Sequence, residues 1–318
     1  MKALYGHDAQ HREILQAAAG GRMHHGWLLT GPEGVGKASF ARSVALSLLA
    51  GEAGEVGADH SAAHLFAAGS HPDYAELVRL EKDNGELARN ITVAQVRGLH
   101  RLLESAPSMA RRRVVLIDSA DDLERGGANA LLKSLEEPPR DLVFLLVSHA
   151  PSRLLPTIRS RCRVLRFAPL ADADMRRAIL GQRPDLSGAE LDHLVAVGKG
   201  APGRALALAG AGIDELMQTL EQIARTGDAD NGARLALSKA LSARAAKERF
   251  EAFLEVAPAF LAAQAKGRAG EALAQALEAW EKARDLAAAA VPLSLDPATV
   301  VFELCGHVAA LAQEEATA

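Results

Sequence analysis

The chain has 318 residues, 49% apolar and 24% charged, with a formal net charge of −4. This length allows two or three domains with a sizeable core, and the mildly acidic balance argues against a protein that holds nucleic acid by its overall charge. No apolar run reaches membrane-spanning length, the opening MKALYGHDAQHREIL lacks the long apolar stretch of a secretory signal, and the two cysteines, Cys162 and Cys305, fit reduced thiols, so a cytoplasmic protein with no membrane partner is expected.

In chain order, GWLLTG (26–31) reads as a short buried strand that meets a glycine loop. KASFARSVALSLLAG (37–51) reads as a helix, with Val44, Leu48 and Leu49 at helical spacing and Gly51 as its stop. The Gly/Ala-rich patch at 50–69 is expected to be a loop with a short helix. HPDYAELVRL (71–80) reads as a strand closed by the turn signal Asn84-Gly85. Thr92 is expected to cap a helix in which Val96, Leu99, Leu102 and Leu103 share a face.

RRRVVLIDSADDL (111–123) holds a fully apolar strand ending in Asp118, and ANALLKSLEEPP (128–139) is a helix ended by two prolines. DLVFLLVSHAP (141–151) and RVLRF (163–167) are further strands. This alternation of strand and helix predicts an α/β fold with a parallel sheet covered on both faces. After Phe167 the strands stop. SGAE (187–190) is a capping box, and GKGAPGRALAL (198–208) is a glycine-rich turn running into a helix. From about residue 213 the pattern is all helical, with apolar stripes at Phe250, Phe253, Leu254, Ala257 and at Leu273, Ala276, Leu277, Trp280, read as ordinary bundle packing. Three domains are expected, at 1–168, 169–212 and 213–318.

The stretch Gly31, Pro32, Glu33, Gly34, Val35, Gly36, Lys37 matches G-x-x-x-x-G-K between a strand and a helix. Backbone N–H groups of such a loop surround phosphate oxygens, and Lys37 would reach the β- and γ-phosphates. The alternative is a glycine turn that binds nothing. The next residue, Ala38, has no hydroxyl for magnesium, and Ser39 is turned by about 100° along the helix, so magnesium coordination is expected to be weak and no metal site is assigned. Asp118 stands at the carboxyl end of its strand, where a metal-associated aspartate would sit, and is followed by Ser119, which cannot act as a base near neutral pH. Asp121 and Asp122 read as solvated charge or a helix cap.

Ser160-Arg161-Cys162 ties an arginine to a helix end and the edge of a sheet, from where it could reach a neighbouring molecule's γ-phosphate; taken alone, a surface ion pair explains it as well. Arg204, at a helix start beyond the sheet, could touch a bound phosphate or form a structural pair. His60, His64 and His71 contain H-x₃-H but no spaced fourth ligand, so they read as loop histidines without a metal. Arg111, Arg112 and Arg113 are a basic cluster that DNA contact and a solvated strand start explain equally.

Together these motifs resemble the clamp-loader subunits of bacterial DNA polymerase III, and within that family the δ′ branch. LYGH (4–7), HHGWLLTGPEGVGK (24–37), VVLIDSADDL (114–123), NALLKSLEEPP (129–139), LLVSHAPSRLLPTIRSRCRVLRF (145–167) and GAPGRALAL (200–208) carry the resemblance, which spans residues 4 to about 210. It implies an AAA+ P-loop module with a parallel five-stranded sheet, a small helical lid and an all-helical collar that joins a five-subunit ring. That ring, with gamma/tau motor and delta subunits, sets a sliding clamp on primer–template DNA. The resemblance further implies that Arg161 is a finger acting in trans on the ATP of the adjacent motor subunit. It assigns phosphate and Walker-B roles to Lys37 and Asp118, sensor 1 to Ser148 and sensor 2 to Arg204, and places Leu4 to His7 near the adenine.

Three departures from the pattern matter. Ala38 and Ser119 replace the metal-binding hydroxyl and the catalytic glutamate of motor subunits, and residues 38–113 contain no cysteine for the family's zinc module, so no zinc is expected. The first two point to a stator with weak or no hydrolysis, belonging to a DNA-directed DNA polymerase (nucleotidyltransferase) complex without being catalytic itself. Lys37 keeps ATP binding open. The alternatives are a hydrolytic motor of gamma/tau type, a P-loop nucleotide kinase, and a scaffold that binds no nucleotide.

Overall fold

A computed structural model of the chain describes residues 4–314 apart from positions 53, 55, 84, 86, 187 and 211. The described residues divide into two compact units, one up to Arg204 and one from Ala205 onward.

In the first unit, α1 (Asp8–Ala19) leads to β1 (Gly26–Thr30), α2 (Lys37–Ala50), α3 (Ser61–Ala67) and β2 (Tyr74–Val78). Then come α4 (Val93–Gly98), α5 (His100–Glu104), β3 (Arg113–Asp118), α6 (Arg125–Glu136), β4 (Leu142–Ser148), α7 (Pro156–Arg159) and β5 (Arg163–Arg166). Two further helices, α8 (Asp172–Leu180) and α9 (Gly188–Gly198), follow the last strand, and α10 (Pro202–Gly210) starts in this unit and runs on into the second.

The five strands form one parallel sheet in the order β2-β3-β4-β1-β5. Every residue of β1 and β4 is buried, as a parallel strand with helices on both faces requires. Successive side chains enter opposite layers. Trp27, Leu29, Val114, Leu116 and Leu145 pack with Phe40 and Val44 of α2. Leu28, Val115, Ile117, Phe144 and Leu146 pack with Leu131 and Leu135 of α6. The expected α/β fold with its five-stranded parallel sheet is what the chain adopts.

Some local expectations shift. The helix capped by Thr92 does start there, with Gln95 completing a capping box, but it breaks at Leu99 into α4 and α5. Gly98 at the break has low helix propensity. The strand expected over 71–80 is confined to Tyr74–Val78. Of the turn assigned to Asn84-Gly85, Asn84 lies outside the described residues, while Gly85 N donates to Lys82 O at 2.8 Å. Ser187, first residue of the expected capping box, also lies outside them.

The second unit is helical: α11 (Ile213–Thr226), α12 (Gly232–Leu241), α13 (Lys247–Ala265), α14 (Gly270–Ala290) and α15 (Pro297–Ala309). The stripe Phe250, Phe253, Leu254, Ala257 is buried in full. The stripe on α14 is not: Ala276, Ala279 and Ala283 face inward, while Leu277 stays 43% exposed. Small inward residues let α14 approach its neighbours closely, so the alanines outrank the larger side chains there.

Candidate phosphate loop and a separate arginine

The carboxyl ends of β1 and β4 lie side by side, with Thr30 paired to Ser148. Chain crevices at the carboxyl ends of parallel strands are where ligands sit in open α/β sheets. The loop from Gly31 to Gly36 fills this position and delivers the chain into α2. Its glycines are needed for conformation and for space. Gly31 has φ 150°, and a Cβ there would lie 2.3 Å from Phe167 O. Gly34 has φ 77°, and a Cβ there would lie 2.7 Å from the backbone N of Arg204. Gly203 N donates to Gly34 O at 2.8 Å, so the start of α10 rests directly on the loop and brings Arg204 to it. His7 Nε2 donates to the carbonyl of buried Val35 at 3.0 Å, which sets the segment before α1 beside the same loop. Burial lowers the His7 pKa.

Lys37 is 2% exposed. Its Nζ donates to Gly31 O at 2.6 Å and Pro32 O at 2.5 Å. Desolvation lowers its pKa to about 8, against the opposing pull of Glu33, Asp121 and Asp118. Asp118 ends β3 with its carboxyl pKa raised by burial, an effect that Arg42 counters. Arg42, on α2, sets Nη2 3.3 Å from Asp118 Oδ2 and Nε 2.9 Å from Glu76 Oε1. Tyr74 OH donates to Glu76 Oε2 at 2.8 Å. Ser119 is buried.

Ser148 is fully buried, and its hydroxyl donates to Asp121 Oδ1 at 2.8 Å. Asp121 Oδ2 also accepts from the amides of His149 and Ala150. Asp122 pairs with Arg79 at 3.2 Å. Reading Asp121 and Asp122 as solvated charge therefore needs correcting: both are fixed by partners, and Asp121 joins the turn after β3 to the end of β4.

The donor set does not fit magnesium. Ala38 offers no ligand atom, Ser39 is exposed, Asp118 faces the Arg42 guanidinium, and Asp121 is engaged by Ser148 and two amides. Among the described residues no group of three or more His, Cys, Asp or Glu side chains could hold a metal ion. Of the loop histidines, His60 caps α3 by accepting from Ala62 N at 3.1 Å, and His71 Nδ1 accepts from Asp73 N at 3.2 Å.

The basic cluster also has a structural use. Arg113 is 3% exposed, and its guanidinium donates to the carbonyls of Leu102, Leu103, Ser105 and Arg140. Arg112 donates to Ala18 O at 3.2 Å.

Arg161 lies elsewhere. The turn that carries it precedes β5, and β5 pairs with β1 from Trp27↔Arg163 onward. A Cβ on Gly26, the first residue of β1, would lie 3.3 Å from Arg161 O. The phosphate loop follows the opposite end of β1. Five strand residues rise by about 16 Å, beyond the reach of an arginine side chain. Arg161 retains 34% of its side-chain surface exposed. It donates from Nη1 to Thr157 O at 3.0 Å and sets Nη2 2.8 Å from Glu136 Oε1. Behind it, Cys162 is buried beside Gly26 and its thiol is pushed up to about 12 by burial, as is that of buried Cys305. The structure thus gathers Gly31–Lys37, Asp118, Ser148 and Arg204 around one crevice and holds Arg161 apart from it. Arg42 and Glu136, which touch these residues, were not singled out from the sequence, and Asp121 was named there without its link to Ser148.

No helix among the described residues is long and apolar enough to cross a membrane. The family model described as "DNA polymerase III, delta subunit" matches residues 6–171. A Pseudomonas aeruginosa protein named DNA polymerase III subunit delta' is 41% identical over 209 residues, 64% of this chain and 62% of that protein. A Mycobacterium tuberculosis DNA polymerase III subunit gamma/tau is 35% identical over 178 residues, 55% of this chain and 29% of that protein. The matched region thus spans less than two thirds of either relative. A solved gamma subunit-related protein from Thermotoga maritima aligns over 95% of this chain and 98% of its own, at 16% identity and a TM-score of 0.47.

Proposed function

The chain belongs to the DNA polymerase III delta-subunit family, and from that premise we propose that it is the δ′-type stator of a clamp loader, whose contribution to ATP hydrolysis leaves the molecule through Arg161. One observation carries this reading: Arg161 stands at the amino end of β1, a strand length of about 16 Å from its own phosphate loop, and keeps part of its surface exposed. A guanidinium so placed can meet a γ-phosphate only if a neighbouring subunit holds that nucleotide. In trans an arginine stabilises charge on the transferring phosphoryl group and can accelerate the reaction by about 10³–10⁵.

The chain's own crevice plays a different part. Backbone N–H groups of Gly31–Gly36 and the Lys37 ammonium would hold the phosphates of ATP, with Arg204 beside them as a sensor and Leu4–His7 toward the base. Hydrolysis there is weak or absent, since Ser119 supplies no base and Ala38 no metal ligand. The motor and delta subunits, the sliding clamp and primer–template DNA are the partners of the assembled ring, with DNA met through the complex.

The test is reconstitution with gamma/tau and delta subunits. Arg161→Ala should leave assembly intact and remove most of the clamp- and DNA-stimulated ATPase, whereas the isolated chain should turn over no ATP. Full ATPase in the Arg161→Ala complex would overturn the finger role, and brisk turnover by the isolated chain that fails on Lys37→Ala would favour a motor.

A further inference from the structure

Glu136 is the last residue of α6, where the helix dipole presents its negative end. A carboxylate is disfavoured there, and Glu136 sits in that position because a cation faces it: Arg161 Nη2 lies 2.8 Å from its Oε1. The two residues are 25 positions apart and on different elements. What joins them is buried packing below the surface. Leu135, the neighbour of Glu136, and Cys162, the neighbour of Arg161, belong to the same core layer. A Cβ on Gly26 would meet both, at 3.3 Å from Leu135 Cδ2 and 3.1 Å from Cys162 Sγ. The backbones of the two partners are therefore held in fixed relation, and only their polar ends reach the surface.

From this geometry we infer that Glu136 is a positioning residue for Arg161, orienting the guanidinium for a neighbouring subunit's nucleotide. The inference rests on the trans-acting role proposed above. Three acceptors hold Arg161: Thr157 O at 3.0 Å and Ser160 Oγ at 3.4 Å take Nη1, and Glu136 Oε1 takes Nη2. A guanidinium has five N–H donors in a rigid fork, so Nε–H and the second N–H of Nη2 stay available to phosphate oxygens. An arginine side chain loses much rotational freedom on binding. Fixing it beforehand removes that loss from the step in which it meets the transition state. Both groups are partly exposed, so the effect is that of a surface ion pair and far smaller than that of the finger itself.

The experiment is a double-variant cycle in the reconstituted clamp loader, with clamp and primed DNA, reading kcat and KM for ATP. Glu136→Ala should lower kcat by about two- to fivefold at unchanged KM, assembly and melting temperature of the isolated chain. Glu136→Gln, which keeps an acceptor and loses the charge, should fall between wild type and Glu136→Ala. In the Arg161→Ala background, Glu136→Ala should change nothing further. An equal loss in that background, or a kcat unchanged or raised by Glu136→Ala alone, would overturn the positioning role while leaving the finger standing. If Arg161→Ala itself leaves kcat intact, the finger reading falls and this one falls with it.

Discussion

Ser148 and Asp121 are joined by a 2.8 Å hydrogen bond across the carboxyl end of the sheet, and Asp121 holds the amides of His149 and Ala150 as well. Replacing Asp121 with Ala leaves a fully buried hydroxyl and two amides without their acceptor. Unmade bonds to a charged group of this kind cost about 1–3 kcal/mol, and the urea midpoint should fall accordingly. Ser148→Ala leaves Asp121 with both amides and should cost less than half as much.

Arg113 offers a larger effect. Its buried guanidinium serves four carbonyls. Hydrogen bonds to charged groups contribute about 1.5–3 kcal/mol each, so Arg113→Met should destabilise the chain by about 3 kcal/mol or more. Arg111→Ala, on the exposed residue two positions earlier, should leave the same denaturation curve within about 0.5 kcal/mol.

Lys37 should act oppositely on stability and on binding. Burial depresses its pKa from the ordinary 10.5 to about 8. Between those values the unfolded chain keeps a proton that the folded chain has released, so stability rises with pH across that window. Lys37→Met should flatten this rise and leave stability at neutral pH unchanged or improved, because it removes a desolvated charge. Calorimetry with ATP should show binding lost in the same variant.

Asp73 sets an acid limb. Burial alone would raise its pKa, but the amides of Ser108, Met109 and Ala110, at 2.7, 2.7 and 2.8 Å, bring it below the ordinary 3.8. A carboxyl held low in the folded state contributes stability that is complete above the unfolded value and is lost as pH falls through the folded one. Asp73→Asn should lower stability at pH 6 and reduce the difference from wild type at pH 2 to 3, as urea titrations at the two pH values will register.

Magnesium should matter little to ATP held at the candidate loop Gly31–Lys37. ATP binding, measured by calorimetry, should change less than threefold between excess magnesium and excess EDTA. Ala38→Thr restores a hydroxyl at the position after Lys37 and should introduce a magnesium dependence, provided that Arg42 yields Asp118.

How far these features could be read from residues alone follows from the range of the interactions. Strands β1 and β4 are unbroken apolar runs because both faces are covered, and such runs identify themselves. The glycine turn from β1 into α2 is legible because its glycines and lysine stand in one contiguous stretch. The break at Leu99 is not, since the stripe Val96, Leu99, Leu102, Leu103 continues across it. Three adjacent arginines look alike in sequence, but Arg113 opens β3 and turns inward while Arg111 remains exposed. Asp121–Ser148 and Glu136–Arg161 join positions 27 and 25 apart on different elements, and no spacing rule for a single helix or strand reaches that far. They became visible only once the sheet had set the ends of its strands and helices side by side.

The thiol beneath Arg161 gives the chain a reporter of its own. Only the thiolate reacts with a disulfide reagent, and Cys162 is both buried and strongly protonated at neutral pH. Its modification therefore waits for the arginine-bearing turn to open, and the rate at which Cys162 is modified, read by mass spectrometry apart from the buried Cys305, clocks that opening. A subunit docked over the turn would slow the clock, so contact at this border can be timed without adding a probe.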